Sequence, residues 1–216
     1  MDKSQVIEQI GKIGILPVLR ADSAKQALAI ADAIKAGGIT AIEVTMTVPG
    51  AIDVMHALAE KHGDSILLGA GSVLDPETAR ACMLAGAQFV VSPALNLRTI
   101  EMCHRYGIAV CPGALTPTEI LTAWEAGADV VKVFPCSAMG GASYLKAVKA
   151  PMPQLRIIPT GGVSVTTAED FLKAGAFALG VGGDLVNAKA KTEADFAAIT
   201  EGARKYLSIV QKVRGA

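Results

Sequence analysis

Along this chain, apolar runs of four to eight residues alternate with amphipathic stretches. The runs, at 13–20, 39–45, 66–69, 88–92, 108–111, 129–134, 156–159 and 178–181, are apolar at successive positions rather than alternate ones. That pattern predicts strands buried on both faces, as the strands of parallel sheets are. The intervening stretches predict helices at 23–36, 50–61, 76–85, 97–106, 117–126, 142–148, 167–174 and 194–213, after a short leader helix at 5–11. Asp22, Asp75, Asn96, Thr116 and Ser164 stand where N-caps are expected.

An internal echo marks the joints. Lys35-Ala36-Gly37-Gly38, Leu84-Ala85-Gly86-Ala87, Glu125-Ala126-Gly127-Ala128 and Lys173-Ala174-Gly175-Ala176 each end a helix and open a strand. Glycine there supplies the left-handed conformation that terminates a helix. Eight strand–helix units in 216 residues leave about 27 residues per unit, close to the minimum for a βαβ repeat. Eight parallel strands of this kind close into a barrel. The expected fold is therefore α/β, a single-domain (β/α)8 TIM barrel over residues 1–216 with a short N-terminal helix. An open doubly wound sheet would carry a Gly-rich dinucleotide turn after its first strand, and the turn here is Leu19-Arg20-Ala21-Asp22.

Composition narrows the partners. Twenty basic and twenty acidic side chains cancel and do not cluster, and aromatics are only 4%, which argues against nucleic acid or an anionic membrane surface as partner. No apolar stretch is long enough to span a bilayer, and the opening Met1-Asp2-Lys3-Ser4-Gln5 is unlike a signal peptide. Cys82, Cys103, Cys111 and Cys136 form no CxxC pair, and His56, His62 and His104 have no carboxylates at ligand spacing. The expectation is a cytoplasmic protein with reduced thiols, no metal and no cofactor.

The chemistry is expected where a barrel gathers the C-terminal ends of its strands. Those ends supply Arg20, then Glu43 with Thr45 and Thr47, Gly71-Ser72, Ser92-Pro93 and Pro112-Gly113. They continue with Lys132 and Phe134, Thr160-Gly161-Gly162 and Gly182-Gly183-Asp184. Lys132 sits inside Val130-Val131-Lys132-Val133-Phe134. Desolvation favours the free amine of a buried lysine, and that form attacks ketones to give Schiff bases. The competing reading is a lysine whose head snorkels to water. Glu43, in Ala41-Ile42-Glu43-Val44, reads either as a structural ion-pair partner or as the acid/base that imine chemistry needs. The glycine turns after strands 7 and 8 stand where phosphate-binding barrels present backbone N–H groups to an anion.

In order and combination, these motifs resemble the 2-keto-3-deoxy-6-phosphogluconate aldolase and 4-hydroxy-2-oxoglutarate aldolase family. They are Ala41-Ile42-Glu43-Val44-Thr45, Gly69-Ala70-Gly71-Ser72-Val73, Val91-Ser92-Pro93, Pro112-Gly113, Val131-Lys132-Val133-Phe134-Pro135, Pro159-Thr160-Gly161-Gly162-Val163 and Val181-Gly182-Gly183. The resemblance implies a class I lyase on a (β/α)8 barrel, typically a homotrimer, acting on a small phosphorylated keto acid. It implies that Lys132 forms the Schiff base and that Glu43, through a water, is the acid/base. Ser72 would lie near the pyruvate carboxylate, Pro93 and Phe134 would line the pocket, and Thr160, Gly161, Gly162, Gly182 and Gly183 would hold the phosphate. Two positions depart from the family pattern. Many members carry an Arg where this chain has Thr47; others end strand 1 in Val-Leu-Arg, as here, so the carboxylate clamp is assigned to Arg20. Asp184 replaces a phosphate-binding Ser found in some members and resembles the phosphogalactonate aldolases, which makes them the alternative substrate class. A non-covalent phosphate-binding isomerase or epimerase, and a non-catalytic sugar-acid sensor, are the other readings.

Overall fold

The computed structural model describes residues 1–215. The apolar runs become strands β1 (Ile15–Leu19), β2 (Ala41–Thr45), β3 (Leu67–Gly71), β4 (Phe89–Val91) and β5 (Ala109–Cys111). They continue as β6 (Gly113–Ala114), β7 (Val131–Val133), β8 (Ile157–Pro159) and β9 (Leu179–Val181). Every pairing between them is parallel. β5 and β6 are two halves of one stave, interrupted at Pro112, which has no N–H to donate to a ladder. The first half pairs with β4 and the second with β7. At the other seam, Thr160 bridges to Gly180 and the Phe177 amide donates to Ile157 O at 2.8 Å, joining β8 to β9; β9 in turn pairs with β1. Eight staves thus close into the (β/α)8 barrel that the 27-residue spacing predicts.

Two apolar layers follow from the strands being greasy on both faces. Outside, helices α2 (Ala24–Ala36) through α9 (Glu193–Arg214) lay their apolar stripes on residues such as Ile42, Val44, Leu68 and Val90. Inside, Leu16, Ala41, Leu67, Phe89, Val130 and Ile158 fill the barrel's N-terminal half. Helix α1 (Lys3–Ile13) plugs that end with Val6, Ile7 and Ile10, whose burial contributes roughly 1.5–3 kcal/mol each. Its start is fixed by a reciprocal cap between Asp2 and Gln5, and Lys3 ties it to Asp129 at 2.9 Å. One end of the barrel is therefore sealed, and chemistry is left the other.

The helix caps correct two expectations. Ser23, not Asp22, caps α2: its hydroxyl accepts the Gln26 amide at 3.3 Å, and the Gln26 side chain in turn accepts the Asp22 amide at 2.8 Å. The helix at Ala168–Lys173 starts from Thr167 rather than Ser164; the Ser164 carbonyl instead accepts the Ala168 amide at 2.9 Å. Asp75, Asn96 and Thr116 cap as expected. Among the described residues, no helix is long and apolar enough to cross a membrane.

Candidate active site

β2 and β7 are the second and sixth of eight staves, so they face each other across the barrel axis. Each carries one charge on its inner side. Glu43 is in register with Val18 and Gly69, and Lys132 with Gly113 and Ile158. Both lie two residues beyond the plugged interior, above Ala41 and Val130. Lys132 Nζ and Glu43 Oε1 meet at 3.6 Å, with exposures of 6% and 1%. Gly71 makes this possible: a Cβ there would lie 2.0 Å from Glu43 Oε1.

The geometry is poor for a purely structural ion pair. A buried pair offsets its desolvation only with close contact and full hydrogen bonding. Here the separation exceeds hydrogen-bond reach, and Glu43 Oε1 has no partner among the described residues. The ammonium has one further contact of note, the Phe134 ring, whose centroid is 5.5 Å away. The arrangement leaves an amine and a carboxylate oxygen free to engage a third molecule.

That molecule has a place to enter. A cavity of about 580 Å³ opens over Lys132, lined by Arg20, Ser72, Pro93 and Phe134. Thr160, Gly161, Gly162, Gly182, Gly183 and Asp184 line it as well. Arg20 is exposed at the end of β1 and makes no ion pair among the described residues. Ser72 is held at φ 56°, alone among the described non-glycine residues in having positive φ. Such a conformation costs on the order of 1–3 kcal/mol and clusters at functional sites. Thr160 Oγ1 is buried without a partner, and only the missing side chain of Gly180 leaves it room. A larger groove of about 930 Å³ lies at the plugged end, but it holds no buried nucleophile, and two of its four cations, Lys149 and Arg214, already bond Leu155 O and Phe177 O.

Three expected contacts take a different form. Thr45 and Thr47 are not among the cavity's lining residues: the Thr45 hydroxyl donates to Leu19 O at 2.9 Å and lies 2.7 Å from the Thr47 hydroxyl, tying β2 to β1. Asp184 reaches the cavity wall, yet its Oδ2 accepts from the Val165 amide at 3.2 Å and from the Tyr206 hydroxyl at 2.5 Å. Burial, and then the neighbouring Asp184 carboxylate, push the Tyr206 hydroxyl far above its ordinary range, so it remains a donor. Asn187, Ala188 and Lys189 also line the cavity, and the sequence reading does not include them. Their only signal was position, just beyond the eighth stave; a polar loop residue there reads as a turn.

A family model described as "Aldolase: KDPG and KHG aldolase" matches residues 6–202. A 2-dehydro-3-deoxy-phosphogluconate aldolase of Treponema pallidum (strain Nichols) is 34% identical over 206 residues, covering 95% of this chain and 97% of its own. A 2-dehydro-3-deoxy-6-phosphogalactonate aldolase of Escherichia coli (strain K12) is 36% identical over 183 residues, covering 84% of this chain and 89% of its own. Among solved structures, the KDPG aldolase of Legionella pneumophila, with pyruvate captured as a covalent carbinolamine, superposes with a TM-score of 0.85 at 30% identity. That match covers 93% of this chain and 97% of the other.

Proposed function

Because the chain belongs to the KDPG and KHG aldolase family, we propose that it cleaves 2-keto-3-deoxy-6-phosphogluconate to pyruvate and glyceraldehyde 3-phosphate through a Schiff base on Lys132. The observation that carries this reading is the meeting of Lys132, which lines the cavity, with Glu43 on the opposite stave behind it, 3.6 Å away. Arg20, as a fork of N–H donors, and Ser72 hold the C1 carboxylate of the substrate. The Lys132 amine adds to the C2 ketone and water leaves, giving a protonated imine. Glu43, acting through a water, takes the proton of the C4 hydroxyl. The C3–C4 bond breaks, its electron pair passing into the imine, and the aldehyde departs. Glu43 then returns a proton to C3 of the enamine, and hydrolysis releases pyruvate and the amine.

The site residues act within one domain. The Asp184 side chain and the E. coli phosphogalactonate relative favour the C4 epimer as a second substrate. The family's homotrimeric habit is supported here by exposed Leu84 on α4 (Pro76–Leu84), Leu97 on α5 (Leu97–Arg105), and Leu121 and Trp124 on α6 (Pro117–Glu125). These three helices follow one another around the barrel, and exposed apolar side chains on one sector are what an interface covers. Light scattering behind size exclusion should return three times the chain mass. The buried, unpaired thiols fit a reducing cytoplasm.

The activity is tested by supplying both phosphorylated epimers and 4-hydroxy-2-oxoglutarate, with pyruvate release coupled to lactate dehydrogenase. Steady turnover of at least one is expected. An isomerase would convert substrate without forming pyruvate, and a sensor would bind pyruvate analogues and release no aldehyde; either result overturns the reading.

A further inference from the structure

We propose that Lys189 supplies the positive charge that selects a phosphorylated substrate tail, and that Tyr206 is the positioning residue that keeps Asp184 from opposing it. The inference rests on the aldolase reading and concerns the wall of the same cavity formed by the glycine turns.

The glycine turns at 161–162 and 182–183 offer that wall only backbone dipoles, and Asp184 brings a negative charge beside them. With a carboxylate beside those dipoles, a phosphate dianion gains from a compensating cation, which lysine provides as a point charge. Lys189 lines the cavity, and its ammonium makes no ion pair or hydrogen bond with any described residue. Its backbone is not loose. The Lys189 amide donates to Asn187 Oδ1 at 3.0 Å. Gln26 Nε2 donates to Ala188 O at 3.0 Å and to Ala190 O at 2.7 Å. The same Gln26 accepts the Asp22 amide at 2.8 Å, so one side chain on α2 holds together the loops that carry Arg20 and Lys189.

Asp184 is restrained from behind. Its Oδ2 is shared by the Val165 amide of the preceding glycine-turn loop and by Tyr206, a fully buried residue of α9. These bonds spread the carboxylate's charge onto two donors that lie outside the cavity lining. Removing the phenol hydroxyl releases one of them and lets the carboxylate turn.

The test measures kcat/KM for 2-keto-3-deoxy-6-phosphogluconate and for its unphosphorylated counterpart in wild type, Lys189→Met, Lys189→Arg and Tyr206→Phe. Hydrogen bonds to charged groups are worth about 1.5–3 kcal/mol, so Lys189→Met should lower the phosphorylated-to-unphosphorylated ratio roughly 10- to 100-fold. Lys189→Arg should restore most of it, and raising the salt concentration should shrink the wild-type preference. Tyr206→Phe should raise KM for the phosphorylated substrate several-fold, leave its kcat in place and alter KM for the unphosphorylated one far less. An unchanged ratio in Lys189→Met, with wild type active, overturns the role of Lys189 while the aldolase reading stands. A Tyr206→Phe defect equal for both substrates overturns the positioning role. If wild type releases pyruvate from neither compound, the aldolase reading itself fails.

Discussion

Gly71→Ala is the sharpest steric probe of Glu43, because it changes no titratable group and strains no backbone. Gly71 is absent from the positive-φ residues, so alanine can adopt its conformation. The new Cβ would nevertheless lie 2.0 Å from Glu43 Oε1 and 2.5 Å from both Cδ and Cγ, where real Cβ atoms essentially never come closer than 3.0 Å. The carboxylate must shift by about 1 Å or more from the position in which it meets the amine at 3.6 Å. A displacement of that size costs on the order of 100-fold in rate where a group must hold a near-attack geometry. Overpacking should remove about 1–3 kcal/mol of stability, which a barrel of this core size survives. The expected result is therefore a folded protein by circular dichroism, with kcat about 100-fold lower and KM changed much less. Borohydride trapping of pyruvate should persist, since the amine is intact. A folded Gly71→Ala protein with kcat within about threefold of wild type would refute the claim that the position of Glu43 matters.

Other outcomes follow from the same structure. Arg20→Ala should raise the apparent dissociation constant for pyruvate about 10-fold or more, as loss of a charged bidentate contact does; unchanged affinity would remove the clamp. The four cysteines are buried, and burial pushes Cys82 and Cys136 up to about 11 and Cys103 up to about 12, so Ellman's reagent at pH 8 should find no fast thiol until denaturant is added. Helix-start N–H groups, those of Thr78, Thr116 and Lys191 first, hold Asp75, Glu119 and Asp195 below their ordinary carboxyl values. The stability they add is present above the unfolded-state values, 3.8 for Asp75 and Asp195 and 4.5 for Glu119, and is lost as pH falls through the lower folded-state values. The urea midpoint should fall steadily below about pH 4; a flat profile would show that these caps are not linked to folding.

Much of this site was legible because burial makes charge conspicuous. A lysine and a glutamate inside aliphatic strands stand out, and an eight-stave barrel puts the second and sixth strands opposite each other. The family resemblance then matched each strand end to a role. The contacts that went unforeseen have a common origin in hydrogen bonds between segments distant in the chain. The Thr45 hydroxyl finds Leu19 O, Asp184 finds Tyr206, and Gln26 reaches Ala188 O and Ala190 O. No local pattern announces such partners. The loop bearing Asn187 and Lys189 escaped notice for a related reason, since only the closure of β9 onto β1 brings it over the cavity beside Arg20. Nor could spacing foresee that Pro112 would split one stave in two.

The account depends on one nitrogen at the barrel axis being the group that captures substrate. Incubating the protein with pyruvate and sodium borohydride, digesting it and mapping the modified peptide by mass spectrometry addresses that directly. A single reduced adduct on Lys132, absent from Lys132→Met, is the expected result. An adduct on any of the other lysines, or none at all from an enzyme that still releases pyruvate, would contradict it.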